Sequence, residues 1–254
     1  MALRLGDAGH VQLMLRGRLA LASRGPVWSA GVGDVTRMAA LRALRRSRPA
    51  LSGLVINADA PQDRALWRAG FVPVMTPAWV AEWHMAGTDL QRRAALDQKW
   101  RNRLVRAEHR ALRVIETDFP ADPAHWLVQR DAEQQRARGY RGYPGAVAAG
   151  YAAANPGHAR LFVVEMGGAP VAAALVLVHG RVATYHIGWA DAVGRAVQAH
   201  NLVLWRASCA LSARGVVRFD LGGLDTVAAA GLAHYKLGTG AVARRLGGSW
   251  GAVC

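Results

Sequence analysis

The sequence predicts an α/β protein with mixed sheets, built as two related modules in tandem, the first of them shortened. Three observations carry this. Hydrophobic residues make up 52% of the 254 positions, ample for packed cores, and the longest apolar stretch, PVAAALVLV, is of strand length rather than the roughly 20 residues that span a bilayer. Apolar runs with strand character alternate with segments of helical period. The order of elements in the second half, β-α-α-β-β-β-α-β-α-β, extends that of the first, β-β-α-β-α-β, although no residue-level repeat accompanies it. The expected limits are 1–87 for the shortened N-terminal module, 88–112 for a connecting basic helix and 113–254 for the C-terminal module.

The first module opens with two short strands, VQLML and LALAS, turned at Arg16-Gly17-Arg18. Asp34 is positioned to cap a helix running to about Ser47, with Val35, Met38, Ala39 and Leu41 on its apolar side and Arg42, Arg45 and Arg46 toward solvent. A buried-type strand (GLVIN), a short helix near Arg64–Ala69 and a strand from Phe71 follow. Thr88 and Gln91 form a capping-box signature that opens a helix to about Leu112. Trp100, Leu104, Ala107 and Ala111 make an apolar stripe along it, and Arg103, Arg106, Arg110 and Arg113 a basic one.

The second module begins with the strand RVIET and a helix over about Pro123–Arg138, followed by the Gly/Tyr-rich turn RGYRGYPG and another short helix. Three strands come next, RLFVVEM, PVAAALVLV and RVATYHIGW, with hairpin turns at Gly167-Gly168 and His179-Gly180. A long apolar helix from about Ala196 to Ala213 ends at Gly215, where a glycine commonly terminates helices. The strand VVRFDL, the Gly222-Gly223 turn, a helix to about Lys236 and a final stretch of strand character complete the chain.

The charge is as informative as the pattern. Of 32 basic residues only Lys99 and Lys236 are lysines, and the net charge is +15. Such a chain attracts polyanions: nucleic acid, anionic lipid or phosphorylated metabolites. Arginine is always charged, whereas lysine is a compact point charge whose pKa responds to its surroundings. A lysine retained in an arginine-dominated chain therefore marks a candidate site, and Lys236, shortly after FDLGG, is the stronger of the two. The basic stripe Arg103, Arg106 and Arg110 suits either a solvated face or a phosphate backbone.

Other chemistries find little support. Cys209 falls in an apolar helical stretch and Cys254 is terminal, so neither a disulfide framework nor a zinc site follows. The nine histidines show no HExxH spacing, and no metal is expected. Gly238-Thr-Gly240-Ala-Val-Ala243 fits a loose dinucleotide pattern but follows a helix, and Gly247-Gly-Ser249-Trp-Gly251 lies too near the end for a nucleophile elbow. An acyl-CoA donor calls for a glycine-bearing loop opening the helix after the third hairpin strand, where backbone N–H groups cradle the pyrophosphate. Here that segment reads GRAVQAHN, with Arg195, Gln198 and His200 in place of the glycines. With no hydrophobic leader in MALRLGDAGH, a cytoplasmic protein is expected.

Several segments, taken in order, resemble the Fem-type aminoacyl-tRNA-dependent transferases, which are built from two GNAT-like acyltransferase domains. They are LASRGPVWS, LVINADAP, QKWRNRLVRAEHRALRV, the three hairpin strands, and FDLGG followed by Tyr235-Lys236, covering most of 11–250. The resemblance implies aminoacyl transfer from aminoacyl-tRNA to an amine, forming an amide, with no cofactor beyond the tRNA co-substrate. It assigns Lys236 as the catalytic group that stabilises the oxyanion. It carries over substrate contacts to Asp220, Gly222, Gly223 and Tyr235, and an acceptor-phosphate arginine to Arg136, Arg138 or Arg141, with Arg138 foremost. Arg24 and Tyr185 are further expected substrate contacts, and the stripe Arg103, Arg106 and Arg110 is the expected tRNA contact. Elements that precede the first hairpin in longer members, and a coiled-coil arm, have no counterpart in this sequence. The expected acceptor is an amine, phosphorylated or like a peptidoglycan precursor, and these missing elements imply that it can differ from such a precursor. An acyl-CoA-dependent N-acyltransferase on the same fold and a non-catalytic nucleic-acid-binding module are the alternatives.

Overall fold

The computed structural model describes residues 1–47, 52–61 and 63–253, the side chain of Asp63 excepted; Cys254 lies outside the described residues. The elements run β1 (Ala2–Arg4), β2 (Gly9–Gln12), β3 (Met14–Arg16), β4 (Leu19–Ser23), β5 (Val27–Trp28), α1 (Asp34–Arg46), β6 (Gly53–Asn57), α2 (Asp63–Arg68) and β7 (Val72–Met75). They continue with β8 (Trp79–His84), α3 (Asp89–Ala94), α4 (Gln98–Glu108), β9 (Leu112–Asp118), α5 (Trp126–Arg138), α6 (Gly145–Ala154), β10 (Ala159–Met166), β11 (Ala169–His179) and β12 (Val182–Ala190). The last are α7 (Ala192–Ala196), α8 (Ala199–Ala213), β13 (Arg218–Leu224), α9 (Ala230–Leu237), β14 (Val242–Arg245) and β15 (Ser249–Ala252).

The chain divides into two compact units, Met1–Val80 with Arg244–Cys254, and Ala81–Ala243. This differs from the expected limits in two ways. The basic helix belongs to the second unit, packed on α8, rather than connecting two modules. The end of the chain returns to the first unit, where β15 pairs antiparallel with both β6 and β7.

In the first unit the five-stranded sheet has the order β3-β4-β6-β15-β7, and β4 and β6 are parallel. Its core gathers Ala20, Ala22, Leu54 and Ile56 from alternate strand positions with Leu41 and Leu44 of α1. The expected apolar side of α1 shifts accordingly: Leu41 and Leu44 are buried, while Val35 is 71% exposed and Ala39 also faces solvent. The N-cap of α1 is Gly33, and Asp34 is its first residue, with no side-chain cap. Arg42 and Arg46 are exposed as expected and Arg45 is half-buried; Arg42 and Arg45 also donate to carbonyls at the end of α2, to Arg68 O and Ala69 O.

The second unit is built on a seven-stranded sheet of order β14-β8-β13-β12-β11-β10-β9. β11 is apolar throughout because both its faces are covered. Ala172, Ala174 and Val176 pack with Leu104 of α4 and Val203 of α8, while Ala173, Leu175 and Leu177 pack toward Leu127 of α5 and Ala148 of α6. The single helix expected over 88–112 is two. Thr88 and Gln91 do form the capping box of α3, but Asp97 caps a second helix, accepting from Lys99 N at 2.9 Å and Trp100 N at 3.2 Å. Trp100, Leu104 and Ala107 are buried as expected, whereas Ala111 lies beyond the helix end and is exposed. The long helix expected from about Ala196 to Ala213 is α8, which begins at Ala199; a short α7 precedes it, separated by Gln198 with its left-handed backbone (φ 59°). β8 has no strand signature in the sequence, because four consecutive buried residues, Val80–Trp83, hide the strand period.

Candidate active site

The site lies in the second unit, where the sheet opens. β12 and β13 are parallel and paired at Val182 with Arg218, Ala183 with Phe219 and Thr184 with Asp220. Past Thr184 the two strands separate, although β12 runs on to Ala190 and β13 to Leu224. The opening falls between the strands RVATYHIGW and VVRFDL, where a GNAT-like sheet would splay. It leaves Tyr185, His186 and Gly188 half-buried in the middle of a sheet whose neighbouring strand is closed.

On the β13 side, the Gly222-Gly223 pair expected to form a turn after the strand lies inside β13, and Asp220 shapes a local kink in it. Its Oδ1 accepts from Gly222 N at 2.7 Å, an Asp turn that suits the left-handed glycine at φ 83°. The turn presents the Gly223 carbonyl, which accepts from Lys236 Nζ at 2.8 Å. Lys236 reaches it from α9, whose C-terminal carbonyls are fastened by Thr239 Oγ1 donating to Lys236 O at 2.7 Å. Lys236 is 7% exposed. Burial pushes its pKa below the usual lysine value, and the charge of Asp220 opposes that fall. An ammonium has three donors, so two remain for a substrate oxygen once Gly223 is satisfied.

On the β12 side, the Tyr185 hydroxyl and His200 Nε2 are 2.7 Å apart. Gly188 permits this: a Cβ there would lie 1.5 Å from the Tyr185 oxygen. Burial pushes the Tyr185 hydroxyl up and lowers His200 to about 4, so both are neutral at physiological pH. Tyr235 joins this group to the lysine. Its hydroxyl donates to His200 O at 3.1 Å, and its ring lies 5.8 Å from that of His200 and 6.0 Å from that of Trp100. Tyr235 thus braces α9 on α8 and sets the position of the adjacent Lys236. In the sequence His200 stands out only as part of the segment lacking glycines. Its role depends on Tyr185, 15 residues away, and the glycine of YHIG is the signal for that meeting.

The expected residues fall into four places. Lys236, Asp220, Gly222, Gly223, Tyr235 and Tyr185 come together at the opening. Arg138 ends α5 and Arg141 lies in the loop after it, both exposed. Arg103 and Arg106 are exposed on α4, and Arg110 is exposed in the turn beyond its end, so the basic stripe is not carried by one helix. Arg24 belongs to the first unit, where it and Arg244 both bind Asp59 Oδ1 at 3.0 Å. Among the described residues no group of three or more His, Cys, Asp or Glu side chains could hold a metal ion. No helix among them is long and apolar enough to cross a membrane.

The loop that would cradle a pyrophosphate is differently built. Gly194 serves packing, since a Cβ there would lie 2.0 Å from Val171 O. Asp191 caps α7 and takes the Gly194 N–H at 2.6 Å, placing a carboxylate where an anion would need a donor.

A mixed sheet that opens between two parallel strands is what a GNAT-like sheet would show, and comparison with known proteins agrees. Residues 91–240 match the acetyltransferase (GNAT) domain, and the chain belongs to that family. The chain is an acyltransferase with the tandem GNAT-like fold of Fem-type proteins. FemX is similar at a TM-score of 0.79 and 14% identity, over 97% of this chain and 85% of that one. The C-terminal domain of a putative lysylphosphatidylglycerol synthetase from Agrobacterium fabrum matches at 0.58 and 13%, over 95% and 79%. A tandem GNAT protein from the clavulanic acid biosynthesis pathway matches at 0.50 and 16%, over 97% and 79%. No curated protein matches the sequence.

Proposed function

We propose that the protein transfers an aminoacyl group from aminoacyl-tRNA to an amine, with amide bond formation. The observation that carries this reading is the buried Lys236 ammonium, fixed on the Gly223 carbonyl with donors to spare. The amine nitrogen attacks the carbonyl of the aminoacyl ester, and the C–N bond forms as the carbonyl oxygen becomes an oxyanion. Lys236 donates to that oxyanion. The C–O bond then breaks, and the ribose oxygen of the tRNA leaves with a proton from the amine. A fixed donor of this kind contributes about 3–4 kcal/mol to such a step.

The donor is argued from the α7–α8 segment, where Gly194 and Asp191 are committed to internal contacts that a CoA pyrophosphate would need broken. The exposed Arg103, Arg106 and Arg110 give a tRNA backbone its counter-charges, and Arg138 and Arg141 meet a phosphate of the acceptor. The resemblance in fold to FemX and to a lysylphosphatidylglycerol synthetase domain supports the same reading. An acyl-CoA donor is the second reading, favoured by the family match to an acetyltransferase domain.

Incubation with labelled aminoacyl-tRNA and a panel of amines, beside labelled acetyl-CoA and the same amines, separates the two. Label transferred from tRNA, with weak acetyl-CoA binding in calorimetry, is the expected outcome. Tight stoichiometric acetyl-CoA binding with transfer from CoA alone would replace the first reading by the second.

A further inference from the structure

Acidic side chains are scarce in this chain, 17 against 32 basic ones, and many are committed to arginines or to capping backbone. Asp59, Asp89, Glu108, Glu116, Asp118 and Glu133 each form an ion pair with an arginine. Asp97 and Asp191 cap helices. Asp131 does neither. It is half-buried on the side of α5 that faces β12, and it forms no ion pair among the described residues. Its Oδ2 accepts from Gln135 Nε2 at 2.7 Å, and its Oδ1 lies 3.5 Å from the Tyr140 hydroxyl, a weak contact. A carboxylate has about four lone-pair sites, so half of its capacity is open.

The surroundings are those of a cation site. Tyr140 and Tyr143 come from the loop after α5, and Tyr143, 69% exposed, stacks on His186 of β12 with centroids 5.9 Å apart. Asp131 is close enough to His186 for its charge to oppose the burial that lowers the histidine's pKa. Gln134 ties the wall together, donating to the Tyr140 hydroxyl at 3.1 Å and to Gly188 O at 3.2 Å. Arg130 is occupied by Glu133, and Arg138, whose charge reaches Tyr140, does not pair with Asp131. Aromatic faces beside one unpaired carboxylate are the combination that holds an ammonium group.

We infer that Asp131, with the rings of Tyr140, Tyr143 and His186, is the binding site for the primary ammonium group of the acyl acceptor. The inference rests on the reading that the acceptor is an amine and names the wall that receives it. It makes the acceptor cationic on arrival and places its ammonium on the β12 side of the opening, with Arg138 and Arg141 left for an anionic part of the same molecule.

A structural role for Asp131, bracing Gln135 and the loop, is the competing account, and Asp131→Asn separates the two because the amide keeps an acceptor oxygen while losing the charge. The test uses the full chain without any acyl donor, so it stands or falls independently of tRNA. n-Butylammonium chloride is titrated while the side-chain amide signals of Gln134 and Gln135 are followed by NMR, with n-butanol as the neutral control. The expected result is a saturable shift with butylammonium, none with butanol, and binding weakened about fivefold or more in Asp131→Asn. Equal binding by the variant, equal binding of butanol, or no saturable shift would overturn the inference. Unchanged spectra of Asp131→Asn elsewhere establish that the variant is folded.

Discussion

Each unit contains a parallel strand pair, β4 with β6 in the first and β12 with β13 in the second, and the two pairs behave differently. In the first unit β4 and β6 stay paired from Leu19 with Gly53 to Ser23 with Asn57. In the second, β12 and β13 part after Thr184 and Asp220. The closed pair directs Ala20, Ala22, Leu54 and Ile56 into the core. The open pair leaves carbonyls that side chains take up: Gln134 donates to Gly188 O and Lys236 to Gly223 O. The carboxylates near each pair differ in the same sense. Burial alone would raise the pKa of Asp59, but hydrogen bonds from Arg244 and Arg24 outweigh it and hold the group below the usual carboxylate range. Asp220 instead shapes a turn beside a lysine that keeps donors to spare. The contrast teaches that the parallel pairing itself is a scaffold and that chemistry enters where it is interrupted.

The comparison can be broken most forcefully at its glycines. Gly188→Ala forces the Tyr185 ring out of its place against His200 and is expected to cost about 1–3 kcal/mol in urea unfolding. Gly53→Ala, in the closed pair, meets Leu19 Cδ2 at 3.1 Å and Ala252 O at 3.7 Å and is expected to cost less than about 1 kcal/mol. Combining Gly188→Ala with Tyr185→Ala should give less than the sum of the single effects. Additivity there would remove Tyr185 as the group that Gly188 accommodates.

Acid sensitivity sharpens the same contrast. His200 falls from 6.5 to about 4 on folding, so between those values the unfolded chain binds the extra proton. Its contribution to stability is complete above pH 6.5 and is lost as pH falls toward 4, at up to about 1.4 kcal/mol per pH unit. For Asp59 the contribution is present above its ordinary value of 3.8 and is lost only below that. The second unit should therefore weaken first on acidification, and His200→Gln should flatten that decline. An unaltered pH dependence of unfolding in the variant would show that His200 is not buried neutral.

A smaller effect is expected at the basic stripe. Reversing the charge at Arg103 or Arg106 should reduce the salt dependence of tRNA binding by about one unit of logarithmic slope for each phosphate left without its arginine. An unchanged slope would make the stripe a solvated face.

Much of the opening was legible in the sequence because its parts are local. The glycine pair closing FDLGG, the rarity of lysine and the three hairpin strands are all written within short windows, although the pair falls inside β13 rather than in a turn after it. What was not legible depends on distant pairing. The break between α3 and α4 turns on Asp97 serving as a cap, although the apolar spacing continues through it. The return of β15 to the first unit, and the meeting of Tyr185 with His200 and of Asp131 with His186, follow from the sheet order rather than from any local pattern.

Under the proposed function, Lys236 carries the charge of the transition state in transfer from aminoacyl-tRNA. The most direct measurement is the single-turnover rate of that transfer at saturating donor, for wild type, Lys236→Met and Lys236→Arg, with donor affinity measured alongside. Lys236→Met should slow the chemical step by about 10²–10³ while donor affinity changes far less, because the interaction strengthens mainly in the transition state. Lys236→Arg should recover little, since the wider guanidinium does not fit the point-charge position on Gly223. A folded Lys236→Met protein that turned over at the wild-type rate would contradict the account.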